Sequence, residues 1–177
     1  MSESTFGMAT IAIRTENQTD GDAARHIHIS AFGAHTEADL VDQLKADGDV
    51  TVSLVATDGS ALFGHILFSP LAISDPGDSL KVVSLAPLAT LPEWQRRGIG
   101  SMLVRKGIQV CDDVGVDAII VVGAPEYYER FGFSSGLATK VRLPYSGPAC
   151  MALEVRHGAL DIDDTVVTYP DAFSRLS

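Results

Sequence analysis

The sequence predicts an α+β fold: a mixed, mostly antiparallel central sheet flanked by about four helices. Three observations carry that expectation. Residues 50–91 hold a run of β-rich segments separated by turn signals. One strongly amphipathic segment, Ile99 to Val114, follows them. A short apolar run, Ala118 to Val122, then precedes one more helical and one more strand pattern. A meander that feeds a single crossover helix is not the regular alternation of a doubly wound sheet.

The elements follow in order. Residues 1–9 read as a loose leader, and Thr10 to Arg14 alternates like a first strand. Asp20 to Phe32 places Ala23, Ala24, Ile27 and Ala31 at helical spacing, with Thr19 or Asp20 as the expected cap. Thr36 to Ala46 is a second helix, capped by Thr36 and stopped at Gly48. The period then changes. Val50 to Ala56 is β-rich, Asp58-Gly59 signals a hairpin, and Leu62 to Pro70 is the returning strand. Asp75-Pro76-Gly77-Asp78 reads as a further turn. Leu80 to Leu91 is a longer strand interrupted by Pro87, which cannot donate to a ladder and so implies a bulge or a lost partner.

Ile99, Leu103, Gly107, Val110 and Val114 line one face of the strongest helix, which Gly115 ends. Ala118 to Val122 is apolar throughout, as in a strand buried on both faces. Pro125 suits the first turn of a short helix over 126–131, closed by Gly132-Phe133. Ala149 to Val155 is another strand, and Thr165 to Thr168 is a candidate last one. Residues 10–156 form the expected domain, with 157–177 as a C-terminal tail that packs on it.

Composition narrows the function. The 177 residues, 46% hydrophobic and 20% charged, suit one packed domain and argue against wholesale disorder. A net charge of −10 argues against a nucleic-acid or anionic-membrane surface. Cys111 and Cys150 read as buried apolar fillers, and no spacing supports a metal site. With no signal peptide and no apolar run of about 20 residues, the expected location is cytoplasmic.

The chemistry concentrates in Trp94-Gln95-Arg96-Arg97-Gly98-Ile99-Gly100-Ser101, between a strand and the strongest helix. Gly98 and Gly100 leave the backbone bare. The first amides of the helix lack partners, and the helix dipole adds partial positive charge there. With Arg96 and Arg97 the sum is a phosphate or pyrophosphate site. A nucleotide P-loop would need a lysine that is absent. A dinucleotide fingerprint would need glycine where Leu103 stands, and Asp117 precedes its strand instead of ending it.

Gln95-Arg96-Arg97-Gly98-Ile99-Gly100 resembles the coenzyme A pyrophosphate loop of the GNAT superfamily of N-acetyltransferases. Pro125 to Phe133, PEYYERFGF, resembles that family's Tyr-x-x-x-Gly-Phe element. With Gly64 to Pro70 and Pro87-Leu88-Ala89, the pattern is most similar to the YhbS-like branch. The resemblance implies acetyl-CoA as co-substrate and no metal. It implies fourth and fifth strands that splay to admit the pantetheine arm, which accounts for Pro87. Backbone of Leu88, Ala89 and Thr90 would meet that arm or the thioester oxygen, and Arg96, Arg97, Gly98, Ile99, Gly100 and Ser101 would hold the diphosphate. Tyr128 aligns with the tyrosine that protonates the departing thiolate in many relatives. Many of them also carry an asparagine where this chain has Gly123-Ala124-Pro125.

No general base emerges from the sequence; His65 and Glu126 are the candidates. Arg105, Lys106 and Arg130 read as solvated charges. The expected acceptor is a primary amine on a small molecule or a protein, favoured by the acidic total if cationic. A homodimer stays open. The rival reading is a module that binds acyl-CoA without turnover, and a nucleotide-binding domain is a more remote one.

Overall fold

The computed structural model describes residues 10–74, 80–162 and 164–175. The expected leader, residues 1–9, and the Asp75–Asp78 turn lie outside those residues. Strand β1 is Ala12–Thr15, followed by helices α1 (Gly21–Phe32) and α2 (Thr36–Asp47). Strands β2 (Val52–Thr57), β3 (Leu62–Ile73) and β4 (Val82–Thr90) form the meander. Helix α3 (Ile99–Asp113) leads to β5 (Ala118–Val122), α4 (Pro125–Tyr128), α5 (Ser135–Ala138), β6 (Cys150–Glu154) and β7 (Val167–Thr168). The sheet runs β1-β2-β3-β4-β5-β6, with β7 paired to β3. Among the paired strands of the described residues, β4–β5 is the only parallel pair.

Local chemistry explains most boundaries. In the β2–β3 hairpin the Asp58 carboxylate accepts the Ser60 and Ala61 amides at 2.8 and 3.0 Å. Helices α1 and α2 both stop at left-handed glycines, Gly33 and Gly48. Their starts differ from expectation. The cap before α1 is Asn17, whose side chain accepts the Thr19 amide at 3.0 Å and opens a 3-10 turn, Gln18–Asp20. Asp20 stands at the N-cap position of α1, one of the two residues expected there, but its carboxylate turns back to the Asn17 amide and to Arg14 and makes no capping bond to the helix. Thr36 is the first helical residue of α2, after His35, and makes no capping bond. The short α5 and the 3-10 turn Asp171–Arg175 were not expected; each is too brief to show a period.

Helix α3 packs across one face of the sheet, where Ile99, Leu103, Val104 and Cys111 meet Leu54, Ile66, Phe68 and Val121. The approach is close enough that a Cβ on Gly107 would stand 2.5 Å from the Phe68 ring. On the other face, Phe173 and Ala172 close over Leu40, Val41, Leu44 and Leu67. Leu160 and Val167 join Ile120 and Ala152 there. The two cysteines are buried and free, and burial pushes the Cys111 thiol up to about 12.

The sheet is interrupted where Pro87 stands. Ile66 pairs with Leu88 and Phe68 with Leu85, so Ala86 and Pro87 oppose Leu67 alone, a bulge. Strand β4 meets β5 only from Val82 to Ser84, opposite Ala118 to Ile120. Beyond that point β4 continues to Thr90, while Val121 and Val122 keep only their β6 partners. The fourth and fifth strands therefore part after Ser84.

Candidate active site

A cavity of about 430 Å³ lies where the free end of β4 meets the N-terminus of α3. The connecting loop bends twice through left-handed backbone, at Arg96 (φ 62°) and Gly98 (φ 83°). A non-glycine residue in that conformation costs about 1 kcal/mol or more and marks a constrained segment. The turns form a concave run of backbone that opens into α3. The first intrahelical bond runs from the Met102 amide to the Gly98 carbonyl at 3.0 Å, and no side chain caps this end. The amides of residues 99–101 thus carry the open donors of a long helix. Gln95 braces the loop by donating to the Thr90 carbonyl at 3.1 Å.

Leu88, Ala89, Thr90, Arg96, Gly98, Ile99, Gly100 and Ser101 all line the cavity. Arg97 does not; its guanidinium stacks on the Trp94 ring at 4.8 Å. Tyr128 also stays outside the lining and lies against Gly123, where a Cβ would come within 2.5 Å of its ring. That position is at the end of β5, on the α3 side of the fork. Tyr127 and Phe133 meet its ring edge-on at 5.0 and 5.8 Å. Burial, and then Tyr127, pushes the Tyr128 phenol up to about 12, so it keeps its proton at neutral pH.

Four lining residues lay outside the expected site set: the bracing Gln95, and Trp94, Tyr127 and Arg130. Tyr127 turns its hydroxyl toward Gly100, and Trp94 walls the cavity beyond the loop. Arg130 donates to the Ser101 hydroxyl at 3.0 Å and lies over the Tyr127 ring at 4.8 Å. Arg105 rests on the Phe131 ring at 5.1 Å. Sequence spacing does not separate two adjacent tyrosines on a single turn. Arg130 had only its nearness to the aromatic pair as a signal.

His65 is absent from this lining and belongs to a buried polar chain on the opposite face. Ile66 and Phe68 face α3, so the alternation of β3 turns His65 toward α1. There His65 Nδ1 lies 2.8 Å from His28 Nε2. Its Nε2 lies 3.0 Å from Glu16 Oε2. Ser53 donates to the same carboxylate at 2.5 Å, and Lys45 pairs with its other oxygen. Burial alone would raise Glu16, but hydrogen bonds from His65, Lys45 and Ser53 outweigh it and hold the carboxyl at about 2. Burial lowers His28 to about 3.

These two groups predict acid sensitivity. Folded His28 resists protonation that the unfolded chain accepts near 6.5, so stability begins to fall as pH drops through 6.5 and keeps falling toward 3. Glu16, depressed from 4.5 to about 2, adds a second loss as pH falls through that lower range. Urea denaturation measured from pH 8 to pH 3 checks this. A midpoint that stays level between pH 7 and pH 5 would remove the neutral buried histidine.

Among the described residues no group of three or more His, Cys, Asp or Glu is placed to hold a metal ion. No helix among them is long and apolar enough to cross a membrane.

The sheet parts beside an uncapped helix N-terminus, an arrangement suited to a ligand with an anionic group at the helix end and an extended arm along the freed strand. Residues 12–136 match the model of the acetyltransferase (GNAT) domain. The chain is 31% identical over 167 residues to the uncharacterised N-acetyltransferase YhbS of Escherichia coli strain K12, covering 93% of this chain and 99% of that protein. It is 33% identical over 145 residues to YjhQ of the same strain, covering 78% and 80%. The crystal structure of E. coli YhbS in complex with CoA matches with a TM-score of 0.86 at 30% identity, over 94% of this chain and 93% of that one. A GNAT acetyltransferase from Brucella melitensis in complex with acetyl-CoA matches with a TM-score of 0.77 at 29% identity, over 93% and 99%. The chain belongs to the GNAT acetyltransferase family.

Proposed function

We propose that the protein transfers an acetyl group from acetyl-CoA to a primary amine, by direct attack of the amine on the thioester. The observation that carries this reading is the joining of two features in one cavity. Its loop and helix end offer bare amides and Arg96 to a diphosphate. Its far wall is the stretch Leu88 to Thr90 of β4, free of β5. A diphosphate held at the first directs a pantetheine arm along the second, whose unpaired backbone accepts its amides. That backbone also offers a donor to the thioester oxygen as negative charge develops there. The complexes of YhbS with CoA and of the Brucella enzyme with acetyl-CoA support the choice of coenzyme.

Arg97 belongs to the outer rim in this reading, on its Trp94 shelf. Tyr128, protonated and beside the fork, supplies the proton that the departing thiolate takes up. The Tyr128→Phe variant is expected to lose about tenfold to a hundredfold in kcat while its KM for acetyl-CoA holds within about twofold. Steady-state kinetics check it, and full turnover in the variant would strike the phenol from the mechanism.

The function itself is tested by incubating the protein with acetyl-CoA and a broad panel of amines while free thiol is measured. Thiol release that depends on the amine, with an acetylated product by mass, is the expected result. Tight acetyl-CoA binding with no product from any amine would favour a sensing module instead.

A further inference from the structure

We propose that Glu16, His65 and His28 form a proton relay for the transfer, and that His28 Nδ1 is the atom that receives the proton of the attacking amine. The proposal rests on the acetyl-transfer reading above and supplies the base that the sequence does not reveal.

The distances restrict where the hydrogens lie. An ionised Glu16 can only accept, and Ser53 Oγ, 2.8 Å from the same nitrogen, gives its hydrogen to that carboxylate, so His65 Nε2, 3.0 Å from Glu16, carries a hydrogen. Two patterns then satisfy the 2.8 Å contact between the imidazoles. In the first, His65 is neutral, His28 Nε2 donates to it, and His28 Nδ1 holds a bare lone pair. In the second, His65 is an imidazolium, donates to His28 Nε2, and leaves a hydrogen on His28 Nδ1. The patterns differ by one proton, and that proton enters and leaves at His28 Nδ1. This nitrogen is buried without a hydrogen-bond partner, in a side chain with 0% exposure. An orphan polar atom of this kind costs about 1–3 kcal/mol and calls for an explanation.

Its place in the fold supplies one. His65 stands in register with Ala89, a cavity residue on the free end of β4. The imidazole pair therefore lies beneath that stretch, on the face away from α3 and the diphosphate loop. Phe32, one turn along α1, is 45% exposed and parallel to the His28 ring at 6.2 Å. In the proposed relay the amine approaches from this exposed end. At the other end Glu16, Lys45 and Ser53 line an open groove. Glu16 and Lys45 are the charges that bear on His28 from outside the imidazole pair.

The step balances. The amine nitrogen bonds to the thioester carbon, the carbon–sulfur bond breaks, and the sulfur takes its proton from Tyr128. The nitrogen gives one proton to His28 Nδ1, and the His28 Nε2 proton moves to His65 Nδ1. The charge comes to rest on His65 against the Glu16 carboxylate. The proton then leaves again at His28 Nδ1, the reverse hop from His65 Nδ1 to His28 Nε2 restores the first pattern, and exchange with solvent restores the Tyr128 proton. His28 is the catalytic member; His65 and Glu16 position and stabilise.

Nitrogen NMR of the full chain labelled at histidine tests the relay without knowledge of the amine. At neutral pH His28 is expected to show a protonated Nε2 and a bare Nδ1, and His65 a protonated Nε2. A neutral His28 with its hydrogen on Nδ1 would overturn the proposal. Kinetics on any amine the wild type acetylates add a second readout. The His28→Gln variant is expected to lose about a hundredfold in kcat, with the KM for acetyl-CoA within about twofold. Glu16→Gln keeps the shape of the site, covers the case in which His28→Gln does not fold, and lowers kcat about tenfold. It also moves the His65 nitrogen signals, because the carboxylate that fixes the hydrogen on Nε2 is gone. Unchanged kcat and unchanged His65 signals in Glu16→Gln would overturn the relay. A wild type that binds acetyl-CoA but acetylates nothing would sink the transferase reading, while the NMR pattern would still judge the relay.

Discussion

Gly100→Trp is expected to weaken acetyl-CoA binding by about a hundredfold, or about 2.7 kcal/mol, without unfolding the protein. Gly100 is the second residue of α3 and borders the cavity. A Cβ there would sit 2.9 Å from the Tyr127 hydroxyl and 3.9 Å from Thr90 Oγ1. An indole beyond it occupies the space the diphosphate needs and blocks the amides from it. The backbone cost is small, because glycine is already a poor helix former relative to tryptophan. Isothermal titration with acetyl-CoA gives the affinity, and a thermal melt gives the control. Wild-type affinity in a folded variant would move the diphosphate elsewhere and take the cofactor assignment with it.

Gly107→Val is expected to act on the fold instead. The substituted Cβ would lie 2.5 Å from two atoms of the Phe68 ring, and Phe68 is fully buried. Neither α3 nor β3 can yield without disturbing the sheet that frames the cavity. Overpacking of this kind costs typically about 1–3 kcal/mol, and valine's branch places it at the upper end. For a chain of this size that is a fall of roughly 6–12 °C in Tm. Adding Phe68→Leu to Gly107→Val is expected to recover more than half of the loss, since the two side chains compete for one volume. Independent, additive effects in that cycle would show that α3 does not press on Phe68.

Where a segment's chemistry is local, the sequence was a sufficient guide. Asp58 binds the amides two and three residues ahead, so the hairpin was legible from Asp58-Gly59 alone. The stripe on α3 recurs over four turns and needs no tertiary knowledge to be seen. Pro87 announced the bulge because its missing hydrogen is a property of the residue. The failures have the opposite character. Asp20 holds the N-cap position of α1, yet its side chain is drawn to Arg14 on β1 and the capping bond falls to Asn17 one turn earlier, a competition between neighbours that propensity does not rank. Tyr127 and Tyr128 are adjacent on one short turn, and only the packing of Tyr128 on Gly123 decides which of them borders the cavity. His28 and His65 stand 37 residues apart and meet because α1 crosses β3 at that point. No local pattern could have paired them. The family motifs were readable for the complementary reason: a diphosphate cradle is a continuous strand–loop–helix stretch, whereas an acceptor pocket is assembled from distant pieces.

The parting of β4 from β5 after only three paired residues has a consequence for traffic. A sheet that opens in its middle can be reached from above and from below, so donor and acceptor need not queue at one doorway. In the transfer proposed above, both can then be present at once in a complex of three, with no acetyl group ever parked on the protein.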